Sequence, residues 1–194
     1  MELIFATHNP NKRIEIQALL PDNIVLKSLD EVGINESIPE VENTIKANAL
    51  AKARYVFKKL RTACFADDTG LEVEALDNAP GVYSARYAGE HKSDADNIQK
   101  LLAALENSEH RNARFVTWIA YISGDGTEHL FEGICAGSIG RTPIGYQGFG
   151  YDPIFYPKDA QLSFAQMDIS QKNKYSHRAK AFKLFCDFIT KRTC

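Results

Sequence analysis

The stretch Cys64-Phe65-Ala66-Asp67-Asp68-Thr69-Gly70-Leu71 decides how the rest of the chain is read. The apolar run from Ala63 to Ala66 predicts a buried strand that ends in two adjacent carboxylates, a hydroxyl and a glycine. Adjacent anions repel, and each is costly to desolvate unless a cation or hydrogen-bond donors compensate it. The pair therefore asks for a partner such as Mg²⁺. Taken alone, the same residues also suit a polar turn, because Asp and Gly tolerate turn dihedrals.

Upstream, Glu2 to Ala6 predicts a short strand that runs into Thr7-His8-Asn9-Pro10-Asn11-Lys12. Beyond it Ile14, Ala18 and Leu19 recur at helical spacing, which makes the hexapeptide a strand-to-helix junction. Free N–H groups at such a junction, and the positive end of the helix dipole, favour a phosphate, and Lys12 adds a full charge. A plain N-cap, with Asn9 or Thr7 capping and Pro10 in the first turn, fits the same residues and is compatible with phosphate binding. Asn23 to Lys27 reads as a second strand, Asp30 to Val41 as an acidic loop, and Glu42 to Leu60 as the longest helix of the first half. Ile45, Ala49, Ala53, Val56 and Leu60 form its apolar stripe.

Downstream, Leu71 to Ala75 alternates like a half-exposed strand, and Asp77 to Gly81 is a turn. Asp94 to Leu105 is an amphipathic helix, and Ala113 to Ser123 with Glu128 to Ile139 forms a hairpin about Gly124-Asp125-Gly126-Thr127. Gly145 to Pro153 alternates glycines with rings, so a ring there is either a platform for a base or a plug in a tight loop. Ser176 is a fair N-cap for a final helix that buries Ala181, Phe182, Phe185, Phe188 and Ile189. That cap puts His177 and Arg178 in the first turn, where cations oppose the dipole, a cost that makes sense if they meet an anion or a carbonyl oxygen.

A chain of 194 residues suits a single domain with at most a modest second lobe, taken here as roughly residues 110–150 around the hairpin. No apolar run is long enough to span a membrane, and the N-terminus lacks the pattern of a signal peptide. The four cysteines show no metal-binding spacing and read as reduced thiols of a cytoplasmic protein. A net charge of -2 argues against a broad nucleic-acid footprint, so a polyanionic ligand needs a local cluster of Lys and Arg.

Six segments in order resemble the inosine triphosphate pyrophosphatase family: Thr7 to Lys12, Asn48 to Ala53, Ala66 to Leu71, Pro80 to Arg86, Gly148 to Pro153 and Ser176 to Arg178. The resemblance covers nearly the whole chain. It implies an α/β fold with an elongated mixed central sheet flanked by helices, two lobes with a nucleotide cleft between them, and a homodimer. It also implies Mg²⁺-dependent hydrolysis of non-standard purine nucleoside triphosphates to the monophosphate and pyrophosphate. Carried over residue by residue, Thr7, His8, Asn9, Pro10, Asn11, Lys12 and Lys52 hold phosphates. Asp68 is the catalytic and metal-binding aspartate and Thr69 an adjoining substrate contact. Phe149, Gly150, Tyr151, Asp152, Lys172, His177 and Arg178 match the base and sugar pocket.

In the expected mechanism Asp68 orients or deprotonates the attacking water. Lys12, Lys52 and Lys172 stabilise the departing pyrophosphate. Donors such as Arg178 or His177 meet the carbonyl at position six of the base, and Phe149 stacks on it. The chain departs from the family pattern at Glu40-Val41-Glu42-Asn43-Thr44-Ile45-Lys46-Ala47-Asn48-Ala49, where relatives usually read Glu-x-Gly-x-Thr-Phe-x-Glu-Asn-Ala. Glu40 aligns with the second metal ligand, while Glu42 and Asp67 compete for that role. Rival readings are a nucleotide-binding regulator without chemistry and a related pyrophosphatase for modified pyrimidines.

Overall fold

The structure, a computed structural model, describes residues 2–21 and 24–192. Seven strands among these residues form one mixed sheet: β1 (Glu2–Phe5), β2 (Val25–Lys27), β3 (Cys64–Val73), β4 (Pro80–Gly81), β5 (Asn112–Ile122), β6 (Glu128–Ile139) and β7 (Phe155–Pro157). Their order is β2-β1-β3-β5-β6-β7, with β4 also on β3. β1 runs parallel to both β2 and β3, whereas β4 on β3 and β7 on β6 are antiparallel. Five α-helices accompany the strands: α1 (Pro10–Gln17), α2 (Ile45–Leu60), α3 (Asp94–Ala104), α4 (Ile169–Asn173) and α5 (His177–Arg192).

The chain forms two compact units. The first comprises the described residues within Met1–Asp68, Thr117–Gly133 and Arg178–Cys194, the second Thr69–Val116 and Ile134–His177. The hairpin's tip falls in the first unit. β3, β5 and β6 each supply residues to both.

Strand alternation builds the first unit's core in two layers. Leu3 and Phe5, Phe65, and Ile119 and Tyr121 pack with Ile16 of α1 and with Ala181, Phe182, Phe185 and Ile189 of α5. The neighbours Ile4 and Ala6, Cys64 and Ala66, and Ala120 and Ile122 pack with Ala49, Ala53 and Val56 of α2. The register pairs Phe5 with Phe65, whose rings stack at 4.5 Å. Burying each such large side chain contributes about 1.5–3 kcal/mol. In the second unit Leu71, Val73, Ile98, Leu101, Leu105, Phe115, Phe155 and Phe164 form one cluster.

Three expectations need correction. The strand does not end at Ala66 but continues through both carboxylates to Val73, because Asp67 and Asp68 find cationic partners on opposite sides and the ladder need not stop. The first helix does not bury Ile14, which is 60% exposed; it turns Glu15 and Ile16 inward, and Glu15 is accepted there because it pairs with Arg178. The long helix starts at Ile45 rather than Glu42, since Thr44 caps it by accepting the Ala47 N–H at 3.1 Å. Of the second predicted strand, Val25–Lys27 is observed, and Asn23 lies outside the described residues.

Candidate active site

The alternation that builds the core also separates the two carboxylates. Asp67 shares the face of Phe65, towards α1 and α5, while Asp68 shares that of Ala66, towards α2. Each therefore meets its own cations. Asp67 Oδ1 accepts from Lys12 Nζ at 2.9 Å and Oδ2 from Arg178 Nε at 3.2 Å, and the far side of the guanidinium donates to Glu15. Asp68 Oδ1 accepts from Lys52 Nζ at 3.1 Å, and the same ammonium donates to Glu40 Oε1 at 2.6 Å. Lys52 thus joins the two carboxylates expected to hold the metal. Glu42 is exposed and contributes its backbone N–H to Asn48 instead.

Protonation follows from these pairings. Burial disfavours the Asp67 carboxylate, but Lys12, Arg178 and Lys52 outweigh it and hold the group well below the ordinary value. Burial raises Asp68, with Glu40 adding to it and Lys52 and Lys12 opposing. The Lys52 ammonium also suffers burial, yet Asp68, Glu40 and Asp67 keep it above the usual lysine value. Burial lowers Lys12.

The hard oxygen donors on Asp68 and Glu40 suit a divalent cation. The described residues hold no group of three or more His, Cys, Asp or Glu side chains arranged for a metal. A pair of carboxylates is nonetheless the donor set that Mg²⁺ takes when substrate phosphates and water complete its shell.

The junction from Thr7 to Lys12 departs from its expected donor pattern. Asn9 caps α1 by accepting from Asn11 N at 2.9 Å and Lys12 N at 3.2 Å, Arg13 N bonds Asn9 O, and Pro10 has no N–H. The first turn therefore has no free backbone donors for a phosphate, and its pull on an anion rests on the dipole and the Lys12 ammonium. Thr7 Oγ1 accepts from Asn9 N at 3.1 Å. The His8 ring sits 3.1 Å from Glu36 O and 3.5 Å from Asp30, which ties the junction to the acidic loop leading to Glu40.

The nucleoside-pocket candidates divide between the units. Arg178 belongs to the first and is spent on Asp67 and Glu15. Phe149, Gly150, Tyr151, Asp152, Lys172 and His177 belong to the second. Lys172 Nζ donates to Asp152 Oδ2 at 2.5 Å and lies 5.3 Å from the Phe149 ring centre, a cation over a π face. The same Asp152 oxygen accepts the Phe149 N–H at 2.9 Å. Gly148 (φ +75°) permits this approach, since a Cβ there would stand 2.0 Å from Asp152 Oδ2. Gly150 N donates to Asp94 Oδ2 at 2.6 Å, and the buried Tyr151 hydroxyl donates to Ser84 O at 2.9 Å. His177 stacks on Phe115 with ring centres 4.5 Å apart. Thr69, half-buried, follows Asp68 on β3.

Sequence reasoning did not single out Glu15 as a functional residue. The one available signal was its place three residues after Lys12, one helical turn on, within an otherwise solvated face.

The Ham1 family model matches residues 3–188 of the chain. The chain belongs to the Ham1 family. It is 51% identical over 189 residues to the dITP/XTP pyrophosphatase of Flavobacterium psychrophilum, covering 97% of this chain and 99% of that one. It is 46% identical over 186 residues to the Bacillus subtilis protein of the same name, covering 94% and 93%. The Ham1 protein of Staphylococcus aureus superposes with a TM-score of 0.89 at 38% identity, covering 99% of this chain and 100% of that one. The HAM1 protein of Coxiella burnetii gives 0.90 at 38% identity, covering 98% and 99%. The mixed α/β sheet with flanking helices is thus the Ham1 fold.

Proposed function

We propose that the chain hydrolyses non-standard purine nucleoside triphosphates, ITP, dITP and XTP, to the nucleoside monophosphate and pyrophosphate, and so removes them from the nucleotide pool. The carrying observation is its identity of 51% with a curated dITP/XTP pyrophosphatase over nearly the full length of both chains. The Lys52-bridged carboxylates supply the matching chemistry.

Asp68 is assigned as the group that orients or deprotonates the attacking water. Burial raises its pKa, which makes it a stronger base towards a water proton than an exposed aspartate. Lys12 and Lys52 meet the charge that develops on the departing pyrophosphate. Asp68 and Glu40 would hold Mg²⁺, which would neutralise phosphate charge. Thr7 to Lys12 and Thr69 flank the phosphates. On the nucleoside side Lys172 and Asp152 hold Phe149 in place, with Gly150, Tyr151 and His177 in the same unit. Arg178 takes the role of ordering Asp67, which its ion pairs support more directly than contact with the base.

The reading extends to a homodimer acting in the cytoplasm. Resemblance supports the dimer, and free thiols at Cys64, Cys135 and Cys186 fit a reducing compartment. No described helix is long and apolar enough to cross a membrane.

Pyrophosphate release from inosine, xanthosine, guanosine and adenosine triphosphates with Mg²⁺ tests the function. Strong release from the first two alone is expected. Nucleotide binding without release from any of the four would replace the enzyme with a regulator.

Lys172→Met tests the nucleoside side, because it keeps the stem and removes the cation from Asp152. It is expected to raise KM for inosine triphosphate about tenfold or more, with a smaller change in kcat. An unchanged KM would remove Lys172 from the pocket.

A further inference from the structure

Asn48 sits inside α2 and is 1% exposed, among alanines at positions 47, 49 and 51. Asparagine is a poor helix former, and a buried carboxamide needs partners for both its ends. Here Oδ1 accepts the Glu42 N–H at 3.0 Å, while Nδ2 is buried with no partner among the described residues. Turning the amide over would set its NH₂ against the Glu42 N–H, so the orientation is fixed by chemistry. Packing alone would favour another alanine at this position. The amide is therefore kept for what Oδ1 holds.

What it holds is the segment that carries Glu40. Glu42 lies two residues after Glu40, and Asn48 lies one turn before Lys52 on the same face of α2. Long helical side chains lean towards the N-terminus, which brings the Lys52 ammonium back over the turn of Asn48. At the Glu40 end of the loop the helix grips two points, the Glu42 backbone through Asn48 and the Glu40 carboxylate through Lys52, while Tyr55 and Lys59 hold Glu36 earlier in the loop. Of the two at the Glu40 end, only the first is independent of charge.

We infer that Asn48 is a positioning residue, which fastens the Glu40 segment to α2 and so sets how tightly the Asp68–Glu40 pair takes its cation. The inference rests on the reading of Glu40 as a metal ligand given above. Because the bond is to a backbone N–H, the residue at position 42 is free to depart from the family's glycine while the grip is retained.

The test compares Asn48→Ala, which loses the acceptor, with Asn48→Asp, which keeps it. Amide hydrogen exchange of residues 40–43 in the protein alone is read beside the Mg²⁺ concentration for half-maximal pyrophosphate release. Asn48→Ala is expected to speed exchange at Glu42 about tenfold or more and to raise the half-saturating Mg²⁺ by a similar factor, with kcat at saturating Mg²⁺ within about twofold. Asn48→Asp is expected to restore the slow exchange. Glu42→Pro removes the same hydrogen bond from the loop side and is expected to raise half-saturating Mg²⁺ as Asn48→Ala does. It serves the test should both helix variants misfold.

Unchanged exchange at Glu42 in Asn48→Ala would overturn the inference. So would faster exchange with unaltered Mg²⁺ dependence, provided Glu40→Gln itself shifts that dependence. If Glu40→Gln leaves Mg²⁺ dependence untouched, the metal assignment of Glu40 fails, and the inference falls with it for that separate reason.

Discussion

Asp68→Asn is expected to lower pyrophosphate release from inosine triphosphate by about 10²–10⁴-fold, the range that a positioned general base contributes. The substitution is nearly isosteric and retains an oxygen for the Lys52 ammonium 3.1 Å away, so the fold and the helix contact survive. What disappears is the negative charge and the basic lone pair. Stability should move the other way. A carboxyl whose pKa is raised on folding binds its proton more tightly in the native state. Its contribution is fully present below the unfolded value and lost as pH rises through the folded one. Above the folded value the native Asp68 carboxylate is therefore a cost that asparagine relieves, and there the variant's Tm should equal or exceed that of the natural protein. Such opposition between activity and stability is common where a site holds strained charge. Near-normal turnover would remove Asp68 from the chemistry. A large fall in Tm would mean that its pairing with Lys52 outweighs desolvation.

The sequence carried the parts of this arrangement that depend on local chemistry. Strand, junction, long helix, hairpin and final helix were all legible in hydrophobic period and turn residues. The partners across the fold were not, because pairing depends on which face a side chain takes. The doublet at positions 67 and 68 reads as one acidic feature, yet a period of two sends its members to different helices. A strand expected to end at Ala66 then has no reason to stop. Helical spacing put Ile14 inside, but the buried guanidinium of Arg178 draws Glu15 inward and rotates the stripe towards Ile16. At the junction the sequence offered both free N–H donors and a cap by Asn9 or Thr7, and the Asn9 side chain accepts from two of those donors. How Glu40, Glu42 and Asp67 are partnered depends on the same long-range information. The Lys52 ammonium reaches Glu40 and Asp68, while Glu42 offers only its backbone.

Arg178→Ala should act on stability first. Arg178 is 1% exposed and its guanidinium lies between the Asp67 and Glu15 carboxylates, so truncation takes a cation from two buried anions, of which Asp67 keeps Lys12 at 2.9 Å. Breaking a buried pair in this way costs about 3–5 kcal/mol, a large part of the net stability of a typical domain. Urea unfolding at pH 7 would read it as a fall in midpoint. The pH dependence separates charge from packing. In the natural protein Asp67 is held below its ordinary value of 3.8, so its contribution is present above that value and lost as pH falls below it. Without Arg178 the Asp67 carboxyl rises towards its ordinary value, and the variant should lose less stability on acidification. The gap between the two proteins should therefore narrow from pH 7 to pH 3. A gap of constant size would assign the loss to the cavity rather than to the stranded carboxylates. Glu15→Gln in the Arg178→Ala background removes one stranded charge and should recover part of the loss at pH 7. Recovery there would tie the stability of the first unit to the same ion network that orders Asp67 beside Asp68.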